Sequence, residues 1–215
     1  MLSGTVPVNN NVSVQIMNKP ELSHYTKFFG NLVDLQCHFD DLKTVLKKTE
    51  DIEFPEHEEF IEGESLISDI FPDITRKSFI VTLLIALDDQ FKTYCDILSN
   101  ATDQKLKWNN LKGSALERFI LYSEKVCGVP NVYESDSRKQ LAALIEVRNC
   151  IVHNNSNING FSKAKVIEEL SRKLDGLNIE DGYIFLELSA CYECADIVFD
   201  FMERAYRAGL DAFPE

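Results

Sequence analysis

The chain has 215 residues, 45% hydrophobic and 27% charged, with few glycines and prolines (9 and 6) and a formal net charge of −13. That length can bury one sizeable core, while the acidity argues against general affinity for nucleic acid, which needs clustered Lys and Arg. The most apolar run, Phe79 to Leu87, is too short to cross a bilayer, and Met1 to Asn11 lacks the basic and apolar regions of a secretory signal, so the expected location is the cytoplasm.

Residues 1–19 are polar and rich in asparagine, with Val12 to Met17 as a short-strand candidate. From Glu21 to Lys48 the pattern changes. Tyr25, Phe28, Leu32, Leu35, Phe39, Leu42 and Leu46 recur at alternating spacings of three and four, which predicts a long amphipathic helix with a heptad seam. Either the rest of the chain or a partner subunit must cover that seam. From Glu50 to Asp73 the chain is strongly acidic, without Lys or Arg. Pro55, Gly63 and Pro72 punctuate this connection, which has room for one or two short helical turns, and His57 reads as a solvated surface histidine. Without this stretch the remainder is close to neutral, so a small local basic site is compatible with the composition.

Ile74 to Leu98 reads as a central buried helix, apolar around most of its circumference and interrupted by Asp88 and Asp89. Residues 99–112 are polar. Ser114 and Glu117 have the spacing of a capping box and open a helix through Cys127, which Gly128-Val129-Pro130 ends. Ser135 or Asp136 caps the next helix. Ser162 to Leu174 predicts a short helix of mixed charge. Asp175-Gly176 and Asp181-Gly182 are turn signals bracketing Leu177-Asn178-Ile179 and leading into Tyr183-Ile184-Phe185, a pattern for a small β-hairpin or extended turn. A terminal helix runs from about Leu186 to Ala208.

Six cysteines fall on apolar helix faces, and Cys191-x-x-Cys194 has no second pair and no two histidines three to five residues apart nearby to complete a zinc site. They read as reduced core residues, and no metal or cofactor is expected.

One stretch carries chemistry: Arg148-Asn149-Cys150-Ile151-Val152-His153, followed by Asn154-Asn155-Ser156-Asn157. An Arg followed at this spacing by a His is a common accident, with about 0.4 matches expected from the composition; requiring Asn directly after the Arg lowers that to about 0.03. At about 100° per helical residue, Leu141, Leu144, Ile145, Arg148 and Val152 share a stripe. Arg148 therefore projects from an apolar face and needs a carboxylate, a phosphate or a subunit interface. Asp88, Asp89 and Glu187 are the candidate acids for a buried ion pair. Glu146, Asn149 and His153 form a second stripe, on which the Asn149 amide is placed to orient the imidazole at i+4. Arg148 and His153 stand about 140° apart on a regular helix and cannot close on one atom. Either the helix ends before His153, or a second copy completes the site. An imidazole can take the proton of an RNA 2′-hydroxyl near neutral pH, and a guanidinium can stabilise charge on the phosphorane oxygens. This constellation suits phosphodiester cleavage without a metal ion.

With these residues the chain resembles the HEPN superfamily, particularly compact members from prokaryotic defence and toxin systems. The resemblance rests on Arg148, Asn149 and His153, on the run Leu144-Ile145-Glu146-Val147-Arg148-Asn149-Cys150-Ile151-Val152-His153-Asn154-Asn155, and on the preceding segment from Leu116 to Lys125. It covers about residues 74–213 and leaves 1–73 as an N-terminal extension. It implies an all-α fold, an up-and-down bundle of four main helices in residues 74–215 plus the N-terminal helical extension. It also implies a homodimer with facing motifs and a metal-independent endoribonuclease leaving a 2′,3′-cyclic phosphate. Arg148 and His153 would be the catalytic pair and Asn149 a positioning residue. Implied partners are an RNA substrate and an antitoxin or other defence-system protein, with no membrane. Some members carry Tyr two residues after the His; here that position is Asn155, so modification there is not implied. Two other readings fit the same residues: a non-catalytic dimeric interaction or regulatory module, and a nucleotide- or small-RNA-sensing domain without turnover.

Overall fold

In the computed structural model, residues 22–51, 60–61, 64–65, 70–130 and 135–214 are described. Helix α1 (His24–Glu50) begins where the Ser23 hydroxyl accepts from the Thr26 amide at 3.1 Å. Its heptad seam is the buried side. Phe28, Leu35, Phe39 and Leu46 are sealed from solvent, and Leu32 and Leu42 are partly covered. The cover comes from the same chain, because α1 packs on the terminal helix and on the central one. The helix within the N-terminal extension therefore shares a single core with the residues beyond 73.

Two residues of the acidic connection, Phe60–Ile61 (β1), pair antiparallel with Glu64–Ser65 (β2). The sequence suggested helical turns there. The strand candidate at Val12–Met17 and the surface assignment of His57 fall outside the described residues.

Helix α2 (Phe71–Ala101) outruns its predicted span at both ends. Pro72 sits in its first turn, where a missing N–H breaks no helical bond, so it opens the helix rather than punctuating a linker. Ile80, Leu83, Leu87, Phe91, Tyr94 and Leu98 are buried along its length. The bidentate fork of Arg76 holds Glu50 at the end of α1, with Nε at 2.9 Å, and a third bond reaches the Leu186 carbonyl at 3.2 Å. One side chain thus ties α1, α2 and the hairpin together.

After a 3₁₀ turn at Trp108–Asn110, helix α3 (Ala115–Leu121) starts on the predicted capping box. The Glu117 amide donates to the Ser114 hydroxyl at 3.3 Å, and the Glu117 carboxylate accepts from the Ser114 amide at 2.8 Å. The Ser114 amide, and then the Ser114 hydroxyl at 2.9 Å, donate to the Glu117 carboxylate and hold it below its usual range. The contribution is therefore present above the ordinary carboxylate pKa and lost as pH falls through the lowered one. Ser114→Ala removes the cap of α3 and is expected to lower unfolding stability at neutral pH. Urea unfolding at pH 7 and at successively lower pH checks this, and the penalty should shrink in acid. The helix continues as a wider π turn over Tyr122–Val126, with the Cys127 amide reaching the Tyr122 carbonyl at 3.0 Å.

Helix α4 (Ser135–Asn154) carries the motif. Helix α5 (Ala164–Ser171) and the strands β3 (Leu177–Glu180) and β4 (Tyr183–Leu186) follow, and helix α6 (Leu188–Ala212) ends the fold. The hairpin turns on Asp181 and Gly182 at φ 49° and 85°, the paired left-handed conformation that an Asp-Gly dipeptide favours. On α6, Gly209 permits a close approach: a Cβ there would stand 2.8 Å from the Phe28 ring. Phe28 reaches Tyr94 at 5.5 Å and Tyr206 at 6.4 Å between ring centres, which joins α1, α2 and α6. The protein is mostly helical, and no helix among the described residues is long and apolar enough to cross a membrane.

Candidate functional site

Helix α4 buries Leu141, Ala143, Leu144, Val147 and Cys150. That face is centred on Val147, so Arg148 lies at its border rather than at its middle. The apolar stripe that carries Arg148 leaves the core toward its end: Val152 is 46% exposed, and Arg148 itself is half-buried. Among the described residues Arg148 has no carboxylate within ion-pair distance. Its terminal nitrogen donates to the Asn149 side-chain oxygen at 3.2 Å, and the Asn149 nitrogen faces Glu146 Oε2 at 3.4 Å. The amide therefore bridges Arg148 to Glu146. The sequence placed it on His153, one turn on; the local network instead positions the arginine.

Arg148 acts on Asp88 of α2 from a longer distance. Asp88 is an exposed residue, yet partial desolvation raises its carboxyl above the usual range, while the charges of Arg148 and then Arg118 draw it back. Glu187, another candidate acid for Arg148, accepts instead from Asn178 at 3.2 Å.

His153 is exposed, and α4 runs one residue past it. The helix does not end before the histidine, so the separation of about 140° between Arg148 and His153 stands. Within one chain the two side chains address different regions of space.

The asparagine-rich loop after His153 is fixed in place. Asn155 and Ser156 adopt left-handed φ values of 50° and 62°. The Ser156 amide returns to the Cys150 carbonyl at 3.2 Å, and the Asn154 side chain holds the Asn157 carbonyl. The loop then pairs with the hairpin, Ile158 N–H to the Gly182 carbonyl at 2.8 Å and Ile184 N–H to the Ser156 carbonyl at 2.9 Å. Turn chemistry announced both the loop and the hairpin in the sequence, but not their pairing. Between the loop, β4 and the start of α2 lies an open groove of about 620 Å³, lined by Lys77, Val81, Ile151, Asn155, Tyr183 and Phe185 among others.

The cysteines are all free. Burial pushes the Cys150 thiol up, and Cys191 is pushed up to about 12. Cys194 is raised too, again by burial. Cys37 departs from the expectation of a core residue: it is exposed on α1, and Cys127 is only partly covered, whereas the other four are buried. Among the described residues no group of three or more His, Cys, Asp or Glu side chains converges on a point that could hold a metal ion.

Comparison with known protein families, with curated proteins and with solved structures finds no match to this chain. The functional reading therefore rests on the geometry of the motif. Arg118 was not singled out from sequence, where it is one charge among many on an ordinary helix; only the packing of α3 on α2 brings its charge to bear on Asp88.

Proposed function

We propose that the protein is a metal-independent endoribonuclease of the HEPN type, acting as a homodimer in phage defence or in a toxin–antitoxin system. The observation that carries the reading is the placement of Arg148 and His153 on one unbroken helix, about 140° apart, at an uncovered edge of the fold. One chain offers each half of a site. A second copy related by a two-fold axis would bring the arginine of one helix against the histidine of the other. Val152, 46% exposed and next to His153 in the helix, supplies apolar surface for such a contact. In this reading α2, α3, α4 and α6 form the four-helix bundle, and α1 is added to it.

The chemistry follows from the groups. The imidazole of His153 takes the proton of an RNA 2′-hydroxyl, whose oxygen attacks the adjacent phosphorus. Arg148 stabilises the charge that builds on the phosphorane oxygens, held in position through Asn149 and Glu146. The P–O5′ bond breaks, the 5′-oxygen receives a proton, and a 2′,3′-cyclic phosphate remains.

The test is cleavage of RNA in EDTA by the wild-type protein and by Arg148→Ala, with sedimentation of both. Arg148→Ala is expected to lose about 10²–10³-fold in rate and to remain a dimer. A wild-type dimer that cuts no RNA overturns the enzymatic reading in favour of an interaction module. A variant that loses the folded dimer assigns Arg148 a structural role.

A further inference from the structure

An acidic ribonuclease needs a local path by which a polyanion can reach its arginine. The chain carries −13 overall, yet the span from Lys105 to Arg118 runs the other way. Lys105, Lys107, Lys112 and Arg118 stand there against a single acid, Glu117. That carboxylate is occupied by the cap of α3, accepting from the Ser114 amide and hydroxyl at 2.8 and 2.9 Å. Among the described residues none of the four cations has a carboxylate within ion-pair distance. All three lysines are exposed.

Backbone hydrogen bonds fix the course of the segment, and side-chain contacts hold two of its four charges. The Gln104 amide returns to the Ser99 carbonyl at 3.0 Å, and the Leu111 amide to the Trp108 carbonyl at 3.2 Å. Lys107 is anchored on the Ser99 hydroxyl at 3.1 Å. The Arg118 guanidinium lies over the Trp108 ring, 5.0 Å from its centre, a contact that fixes the plane of the cation without neutralising it.

The fold carries this segment to the motif. Phe119, next to Arg118, stacks on Phe91 of α2 at 4.3 Å, one helical turn beyond Asp88. Helix α4 packs on the same α2. Arg118 from α3 and Arg148 from α4 thus approach Asp88 from two elements, and the charges of both are felt there.

We infer that Lys105, Lys107, Lys112 and Arg118 form a phosphate track that leads a single-stranded RNA to Arg148, past the negative charge of Asp88, which opposes the approach of the RNA. The inference rests on the ribonuclease reading and deepens it. A single strand is the fitting class because the 2′-oxygen must swing into line behind the phosphorus, which an A-form duplex resists.

The experiment titrates a fluorescein-labelled, unstructured RNA oligonucleotide by anisotropy at several salt concentrations, with the full chain carrying His153→Ala to stop turnover. Adding Lys105→Gln and Lys112→Gln is expected to weaken binding about tenfold and to lower the salt slope by about 1.4, the release expected from two lost phosphate contacts on a single strand. Both lysines are exposed and have no ion pair among the described residues, so thermal unfolding should not move. Asp88→Asn is expected to act in the opposite sense, tightening binding several-fold, a gain that mere destabilisation would not give. Unchanged affinity and slope in the lysine variant, with the parent still binding, overturns the track alone. Equal loss on a duplex of the same sequence overturns its assignment to single strands. A wild-type protein that neither binds nor cuts RNA overturns the ribonuclease reading and the track with it.

Discussion

His153→Ala is expected to slow RNA cleavage in EDTA by about 10²–10⁴-fold, the range for removing a positioned general acid or base. The same substitution should leave stability within about 0.5 kcal/mol of wild type, as for other surface changes. Both halves follow from the position of the side chain. His153 is exposed at the end of α4, and among the described residues it makes no hydrogen bond or ion pair that folding would lose. Its removal takes away chemistry and little packing. Single-turnover cleavage and a urea titration on the same preparation separate the two effects. Wild-type cleavage by the variant would end the catalytic assignment, and a large fall in stability would show that the histidine packs in the assembled protein.

Phe119→Ala is expected to lower unfolding stability by about 3–5 kcal/mol, comparable to the whole margin of a small domain. The ring is completely buried. It stacks on Phe91 at 4.3 Å and lies 5.4 Å from Tyr94 and 6.0 Å from Phe201, so one side chain joins α3 to α2 and α6. Truncation removes the transfer energy of the ring and leaves a cavity that three rigid helices cannot close. Urea unfolding followed by circular dichroism measures the loss. A cost below about 1 kcal/mol would contradict a shared aromatic centre. Because α3 also carries Arg118, partial unfolding in this variant should loosen the basic segment together with the core.

Much of the fold was legible in the sequence because it follows from local pattern. The seam from Phe28 to Leu46, the Ser114–Glu117 capping box and the Asp181-Gly182 turn each depend on residues within one or two helical turns or on a dipeptide. Each appears where the pattern put it. Pro72 was misread, since the same ring that breaks a helix interior suits its first turn. The short ladder of Phe60–Ile61 with Glu64–Ser65 had no signal beyond weak turn chemistry. At the motif, the sequence supplied Arg148, Asn149 and His153 and the angle between them. It did not supply the partner of the Asn149 amide. The spacing allowed both Glu146 and His153 as partners, and the bridge to Arg148 selects Glu146.

The sequence by itself determined the helices, their apolar faces and the residue types gathered at the end of α4, because periodicity and capping act over a few residues. Tertiary structure decided the rest. It closed the α1 seam on α2 and α6, pinned the loop after His153 to the hairpin at Gly182 and Ile184, and left Val152 uncovered within the motif. It also set Arg118 near Asp88, which turns a scattered basic segment into a path toward Arg148. The physical reason is that a pattern specifies which face of an element must be buried, whereas the partner of that face is chosen among segments distant in the chain, by shape and by which charges are left unpaired.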